Sequence, residues 1–161
     1  MSVPVDELSS TGSGMPDFKE CLKLLRDGHP DEALLHIRRA LDAAPKNPFF
    51  LSYAGLITGL AEQRYGEAEI LCREALSLRH NHPQLYLNLC EVYQQCGRTG
   101  EAIEVLEKGF ASTGRDQRIR RALAKVGRRR PPVFLFLDRS NPLNRILGMC
   151  RHRLLGPPRA A

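Results

Sequence analysis

Few side chains in this 161-residue chain stand at spacings that could do chemistry. His80 and His82 flank Asn81, but no carboxylate or thiolate stands near enough in sequence to complete a metal shell, and they read as solvated loop histidines. The five cysteines, Cys21, Cys72, Cys90, Cys96 and Cys150, are odd in number and contain no C-x-x-C pair. That pattern suits neither a disulfide framework nor a thiol zinc site, and it fits small buried apolar residues. Cys90 and Cys96 lie six apart on one helical stretch and face different directions. Glu67 and Glu69 could be an acid–base pair, but they stand at a helix start, where carboxylates complement the helix dipole and face solvent. Ser9, Ser10, Thr11 and Ser13 lack the G-x-S-x-G turn of an activated nucleophile. The chain holds no P-loop and no G-x-G-x-x-G. The expectation is a protein without catalytic residues, metal or cofactor.

Charge is the exception. Residues 1–114 carry eleven Lys/Arg against sixteen Asp/Glu, a balance of −5, whereas residues 115–161 carry thirteen against two, a balance of +11. Arg118, Arg120, Arg121, Lys125, Arg128, Arg129 and Arg130 place seven bases within thirteen residues. An acidic body with an arginine-rich end suggests an attachment surface. It reads first as a solvated cap and linker; the chemistry it could otherwise offer is attraction to an acidic partner protein or weak association with an anionic membrane surface. Nucleic acid is disfavoured, because no aromatic platform is interleaved with the bases.

The elements that carry these side chains follow from a repeat. Ala33, Ala68 and Ala102 stand 35 and 34 residues apart. Each opens the same run of small and large residues: Ala33, Ile37, Ala40; Ala68, Cys72, Ala75; Ala102, Leu106, Gly109. A period near 34 with small residues seven apart signals stacked helical hairpins. Phe18, Cys21, Leu22 and Leu25 give the first helix its apolar face. Gly28 and Pro30 end it and open the next, Asn47 caps a helix whose first residue is Pro48, and Pro83 opens another. Helices are expected near 49–60, 66–78, 84–96 and 99–111. A solitary helix over 116–126, with Ile119, Leu123 and Val126 inward, caps the stack.

These residues resemble those of tetratricopeptide-repeat proteins. The first-helix pattern of that family is met by Tyr86, Leu89, Cys90 and Tyr93, by Leu51, Ala54, Gly55 and Thr58, and most weakly by Asp17, Glu20, Cys21 and Leu24. The residue that lets paired helices approach is Cys21, Gly55 and Cys90 in turn. Gly28 and Gly97 hold the hairpin turns, while the second repeat has one extra residue around Arg64-Tyr65-Gly66. The resemblance implies an all-α, right-handed superhelical solenoid of three antiparallel hairpins plus the cap. It implies a protein-binding scaffold or adaptor that holds a partner segment in a concave groove lined by first helices. The implied groove set is Phe18, Leu22, Leu25, Phe49, Ser52, Leu56, Leu87, Glu91 and Gln94. One well-known variant grips the C-terminal carboxylate of heat-shock chaperones with Lys, Asn and Arg. The matching sites here hold Phe18, Leu22, Leu56, Leu87 and Glu91, so the clamp is missing and an apolar segment with a polar far end is the better fit.

Three segments are expected: a flexible 1–14, a repeat domain with its cap over 15–130, and a basic extension over 131–161. Val133 to Leu137 is too apolar to be a free linker, and residues 143–155 have the pattern of a short amphipathic helix. The extension is expected to fold back on the groove or the stack end, or to meet a second copy of the chain. The N-terminus lacks the apolar run of a signal peptide, and no stretch approaches the ~20 apolar residues of a membrane span, so the expected location is cytoplasmic.

Overall fold

The computed structural model describes residues 14–127, and the expectations for residues 1–13 and 128–161 lie outside that range. Seven helices follow one another among the described residues: α1 Met15–Asp27, α2 Pro30–Ala43, α3 Pro48–Glu62, α4 Tyr65–Leu78, α5 Pro83–Gln95, α6 Thr99–Ser112 and α7 Gln117–Gly127. They form an all-α helical-repeat solenoid. α1 packs on α2, α3 on α4 and α5 on α6. Successive hairpins meet through α2 on α3, α3 on α5 and α4 on α5.

The helix starts follow local chemistry. Pro48 and Pro83 stand at first-turn positions, where a missing N–H costs nothing. The Asn47 side chain accepts from the N–H of Phe49 at 2.9 Å and of Phe50 at 3.4 Å, as expected of a cap. His82 caps α5 in the same way, its Nδ1 accepting from the N–H of Gln84 at 3.2 Å. It is buried, whereas His80 is exposed, so the reading of both as solvated holds for His80 alone. An imidazole acceptor was legible only as a loop residue because histidine is an uncommon cap. Gly14 belongs to the body rather than to a loose N-terminus. Its carbonyl accepts from Phe18, and its backbone lies so close to Ala40 that an added Cβ would sit 2.9 Å from the Ala40 carbonyl oxygen.

The hairpin turns repeat with the sequence. Gly28, Gln63 and Gly97 all take positive φ, at 86°, 55° and 76°. Gln63 is the left-handed residue of the second repeat, so the turn site falls one residue ahead of the Arg64-Tyr65-Gly66 run. Within that repeat, an added Cβ on Gly55 would approach the Ala68 carbonyl oxygen to 2.6 Å and Cys72 Sγ to 2.7 Å. α3 and α4 therefore touch backbone to backbone there.

The buried apolar residues fall into two clusters rather than one unbroken core. One joins repeats one and two around Phe18, Ile37, Phe50, Tyr53 and Ile57. The other joins α4, α5, α6 and α7 around Tyr86, Leu89, Tyr93, Leu106, Ile119 and Val126. Polar side chains bridge α3 and α5 alongside them. Asn88 Nδ2 donates to Ser52 Oγ at 3.0 Å, and Gln84 Nε2 donates to Asn88 Oδ1 at 2.9 Å, with all three residues buried.

Candidate functional site

The groove set divides by burial. Phe18 is 1% exposed and packs its ring against Phe50 at 4.9 Å and Tyr53 at 5.3 Å. Phe49 is 6% exposed, edge-on to His82 at 4.7 Å, with the Arg79 guanidinium 5.3 Å from its ring centre. Ser52 is fully buried against Asn88, and Leu56 is 9% exposed. These four side chains are occupied by packing within the body, and α3 is buried continuously from Phe49 to Gly59. Among the described residues they have little surface to offer a partner. A central helix of a three-hairpin stack has neighbours on more sides than sequence periodicity reveals, and its mean composition is correspondingly apolar.

Leu22, Leu25, Leu87 and Gln94 are half-buried, and Glu91 is exposed. These five are the groove positions with surface left to offer. They lie on α1 and α5, either side of the buried α3. Leu60, at the last turn of α3, is 41% exposed and extends the apolar set. Gln94 donates to Cys90 Sγ at 3.3 Å. Gln95 beside it has both amide atoms buried with no hydrogen-bond partner among the described residues, and its Oε1 stands 2.8 Å from where a Cβ on Gly59 would be.

Three of the cysteines are inert by environment. Burial pushes the Cys21 and Cys72 thiols up to about 12 and Cys90 to about 11, far from the thiolate a nucleophile or metal ligand needs. Cys72 Sγ donates to the Ser52 carbonyl oxygen at 3.4 Å. Among the described residues, no group of three His, Cys, Asp or Glu is placed to hold a metal ion. No described helix is long and apolar enough to cross a membrane.

Among the described residues Glu69 is held by three side chains, which its place near a helix start did not reveal. It accepts from the Tyr93 hydroxyl at 2.8 Å and from Arg73 Nε at 2.8 Å, and Arg98 closes on its other oxygen. Arg73 also donates to the Tyr93 hydroxyl at 2.7 Å, and Arg98 stacks over the Tyr93 ring at 4.7 Å while pairing with Glu101. Burial alone would raise this carboxyl. The hydrogen bonds from Arg73, Arg98 and Tyr93 outweigh that and hold it below the usual range. The result is a polar lock between α4, α5 and the start of α6. Glu67, by contrast, pairs with Arg64. The expectation that both carboxylates simply face solvent is corrected at Glu69, two of whose partners, Tyr93 and Arg98, are distant in sequence.

Of the basic set, Arg118 is half-buried and engaged. Asp116 caps α7 by accepting from the Arg118 N–H at 2.7 Å, and the Arg118 guanidinium folds back onto the same carboxylate at 3.3 Å. Arg121 and Lys125 are exposed. Arg128, Arg129 and Arg130 lie outside the described residues.

The family model described as tetratricopeptide repeat matches residues 59–126. Several solved structures share the fold. The Sgt2 TPR domain from Aspergillus fumigatus is 19% identical with a TM-score of 0.63, covering 84% of this chain and 95% of that domain. The first TPR domain of the human RPAP3 protein is 18% identical with a TM-score of 0.61, covering 74% and 93%. The first TPR of Spaghetti (RPAP3), bound to the HSP90 peptide SRMEEVD, is 18% identical with a TM-score of 0.60, covering 73% and 95%. No curated protein sequence matches the chain. At these identities the likeness is one of fold.

Proposed function

We propose that this chain, a tetratricopeptide-repeat protein, is an interaction scaffold that holds a segment of a partner protein along its first helices. The observation that carries the reading is the row of incompletely buried side chains on α1 and α5, Leu22, Leu25, Leu87, Glu91 and Gln94, on a fold whose neighbours include a peptide-bound domain. No catalytic step is needed for this work. Binding would rest on apolar contact by the three leucines, at ~25 cal/mol per Å² removed from water. Direction would come from the polar end formed by Glu91 and Gln94.

The peptide held by the RPAP3 domain is acidic. In this chain the exposed groove position is Glu91, and no groove position carries a Lys or Arg. A carboxylate seated there would meet repulsion rather than a charge-assisted hydrogen bond. The segment we assign to this groove is therefore apolar and not an acidic chain end.

Peptide display against the full chain, followed by titration of each selected peptide, tests this. The expected result is an apolar motif whose affinity falls about tenfold in Leu22→Glu and in Leu87→Glu, in line with losing one buried anchor. Selection of no peptide, or of peptides indifferent to both substitutions, would remove the groove from consideration.

A further inference from the structure

A second surface lies on the cap helix. Four arginines of the repeats are paired within the body, while Arg26, Arg39 and Arg79 form no ion pair among the described residues and stand on separate helices or loops. Arg38 meets Glu62 at 2.8 Å, Arg64 meets Glu62 and Glu67, Arg73 meets Glu69, and Arg98 meets Glu69 and Glu101. α7 differs in gathering several bases outside such pairs on one helix face. Ile119 and Val126 are buried in the second core cluster, with Ala122 and Leu123 packed beside them, which fixes the helix by one face. The opposite face presents Arg120, Arg121 and Lys125, all exposed and none in an ion pair with any described carboxylate. Arg120 donates only to Gln117 of its own helix. Arg121 and Lys125 are four apart and so lie one above the other, about 6 Å apart along the helix.

We propose that this outward face of α7 is a docking surface for an acidic polypeptide segment of a partner. The face selects among anionic partners by what it lacks as well as by charge. Among the described residues of this face the other exposed side chains are Gln117 and Ala124, so the face itself offers nothing larger than a methyl group to a bilayer. Three bases at about 1 kcal/mol each make a weak membrane anchor. No aromatic side chain stands among the bases to stack a nucleobase. Two guanidinium groups and an ammonium on a rigid, rim-exposed ridge suit carboxylates spaced along a chain, which two arginines can take bidentately. Because the surface is exposed, the attraction acts chiefly on encounter rate and is screened by salt. This inference is independent of the groove, since the two surfaces have opposite character.

The test is fluorescence anisotropy of a labelled deca-glutamate peptide with the full chain. The peptide is expected to bind at about 50 mM salt and to weaken about tenfold at about 300 mM. The double substitution Arg121→Glu/Lys125→Glu is expected to weaken binding about tenfold. The charge-matched control Lys46→Glu/Lys108→Glu, at exposed cations elsewhere, should change it less than about twofold. Leu22→Glu should leave it unchanged, which separates this result from any failure of the groove. Equal losses in the test and control variants would reduce the effect to net charge and overturn the assignment. So would tighter binding to phosphatidylserine vesicles or to a single-stranded oligonucleotide than to the peptide, or no binding at the lower salt.

Discussion

Gly109 of α6 lies directly beneath the ring of Tyr86 of α5. A Cβ built on Gly109 would stand 2.6 Å from Tyr86 Cγ and 2.9 Å from its Cβ and Cδ1. Tyr86 is held there by its hydroxyl, which donates to the His80 carbonyl oxygen at 2.8 Å, and it is 2% exposed. The corresponding positions in the first two repeats are Ala40 and Ala75, so the third hairpin has given up a methyl group to seat an aromatic ring. Gly109→Ala should therefore destabilise the protein, although alanine is the better helix former by about 1 kcal/mol. Overpacking should win by ~1–2 kcal/mol net. Urea denaturation of the variant, with Gly109→Ala/Tyr86→Leu expected to recover part of the loss, checks this; an upward shift of the midpoint in the single variant would contradict the packing.

Gln63 offers the opposite case. It is the one hairpin-turn residue of the three that takes positive φ without being glycine. Its side chain is exposed, so little packing is at stake. Gln63→Gly should stabilise the fold by about 1 kcal/mol, the cost of a left-handed L-residue less the extra freedom glycine has when unfolded. A thermal melt that moves downward would show that Gln63 is held by something other than the turn.

The arginine-paired carboxylates set an acid limit. Glu62, Glu69, Glu101 and Asp116 are all held below the usual carboxylate range. For Glu69 and Asp116, burial works against this and the hydrogen bonds from arginine outweigh it; for Glu62 and Glu101 the arginine hydrogen bonds dominate. A carboxyl depressed in the folded state contributes stability that is fully present above the unfolded value of about 4.3 for glutamate. That contribution is lost as pH falls through the folded value. The contribution of these carboxylates should thus be constant near neutrality and fall on acidification below about pH 4.5. Glu69→Gln should lower stability at pH 7 and flatten the acid limb, which denaturant midpoints across pH will read. A parallel acid limb in the variant would show that Glu69 does not titrate with folding.

The Ser52–Asn88–Gln84 bridge should show the asymmetry of buried hydrogen bonds. Asn88→Ala leaves the Gln84 amide and the Ser52 hydroxyl each short of a partner in a buried site, at a cost of about 1–3 kcal/mol for each group left unpaired. Removing the whole set by Ser52→Ala, Gln84→Met and Asn88→Leu should cost less than the single change. Should the triple variant be the less stable, the bridge would be contributing more than mutual satisfaction.

The sequence by itself determined the fold and most of its punctuation. Ala33, Ala68 and Ala102 recur in register, Asn47 and Pro48 mark a helix start, and Gly28 and Gly97 mark turns. Each of these is a local backbone or small-residue requirement that a single position satisfies wherever it occurs. The seven helices follow from them with ends shifted by one or two residues. The tertiary structure decided which side chains are spent inside. Phe18, Phe49, Ser52 and Leu56 read as groove residues because helical periodicity gives each helix one inner and one outer face. Stacking gives α3 neighbours in both adjoining hairpins, and burial is a property of all of them together. Glu69 and His82 became structural for the same reason: their partners are a tyrosine 24 residues away and a ring from another helix. Charge was legible as a total, but only the packed molecule separates Arg118, satisfied by Asp116, from Arg121 and Lys125, which are left facing outward because their helix is anchored by Ile119 and Val126 on its other side.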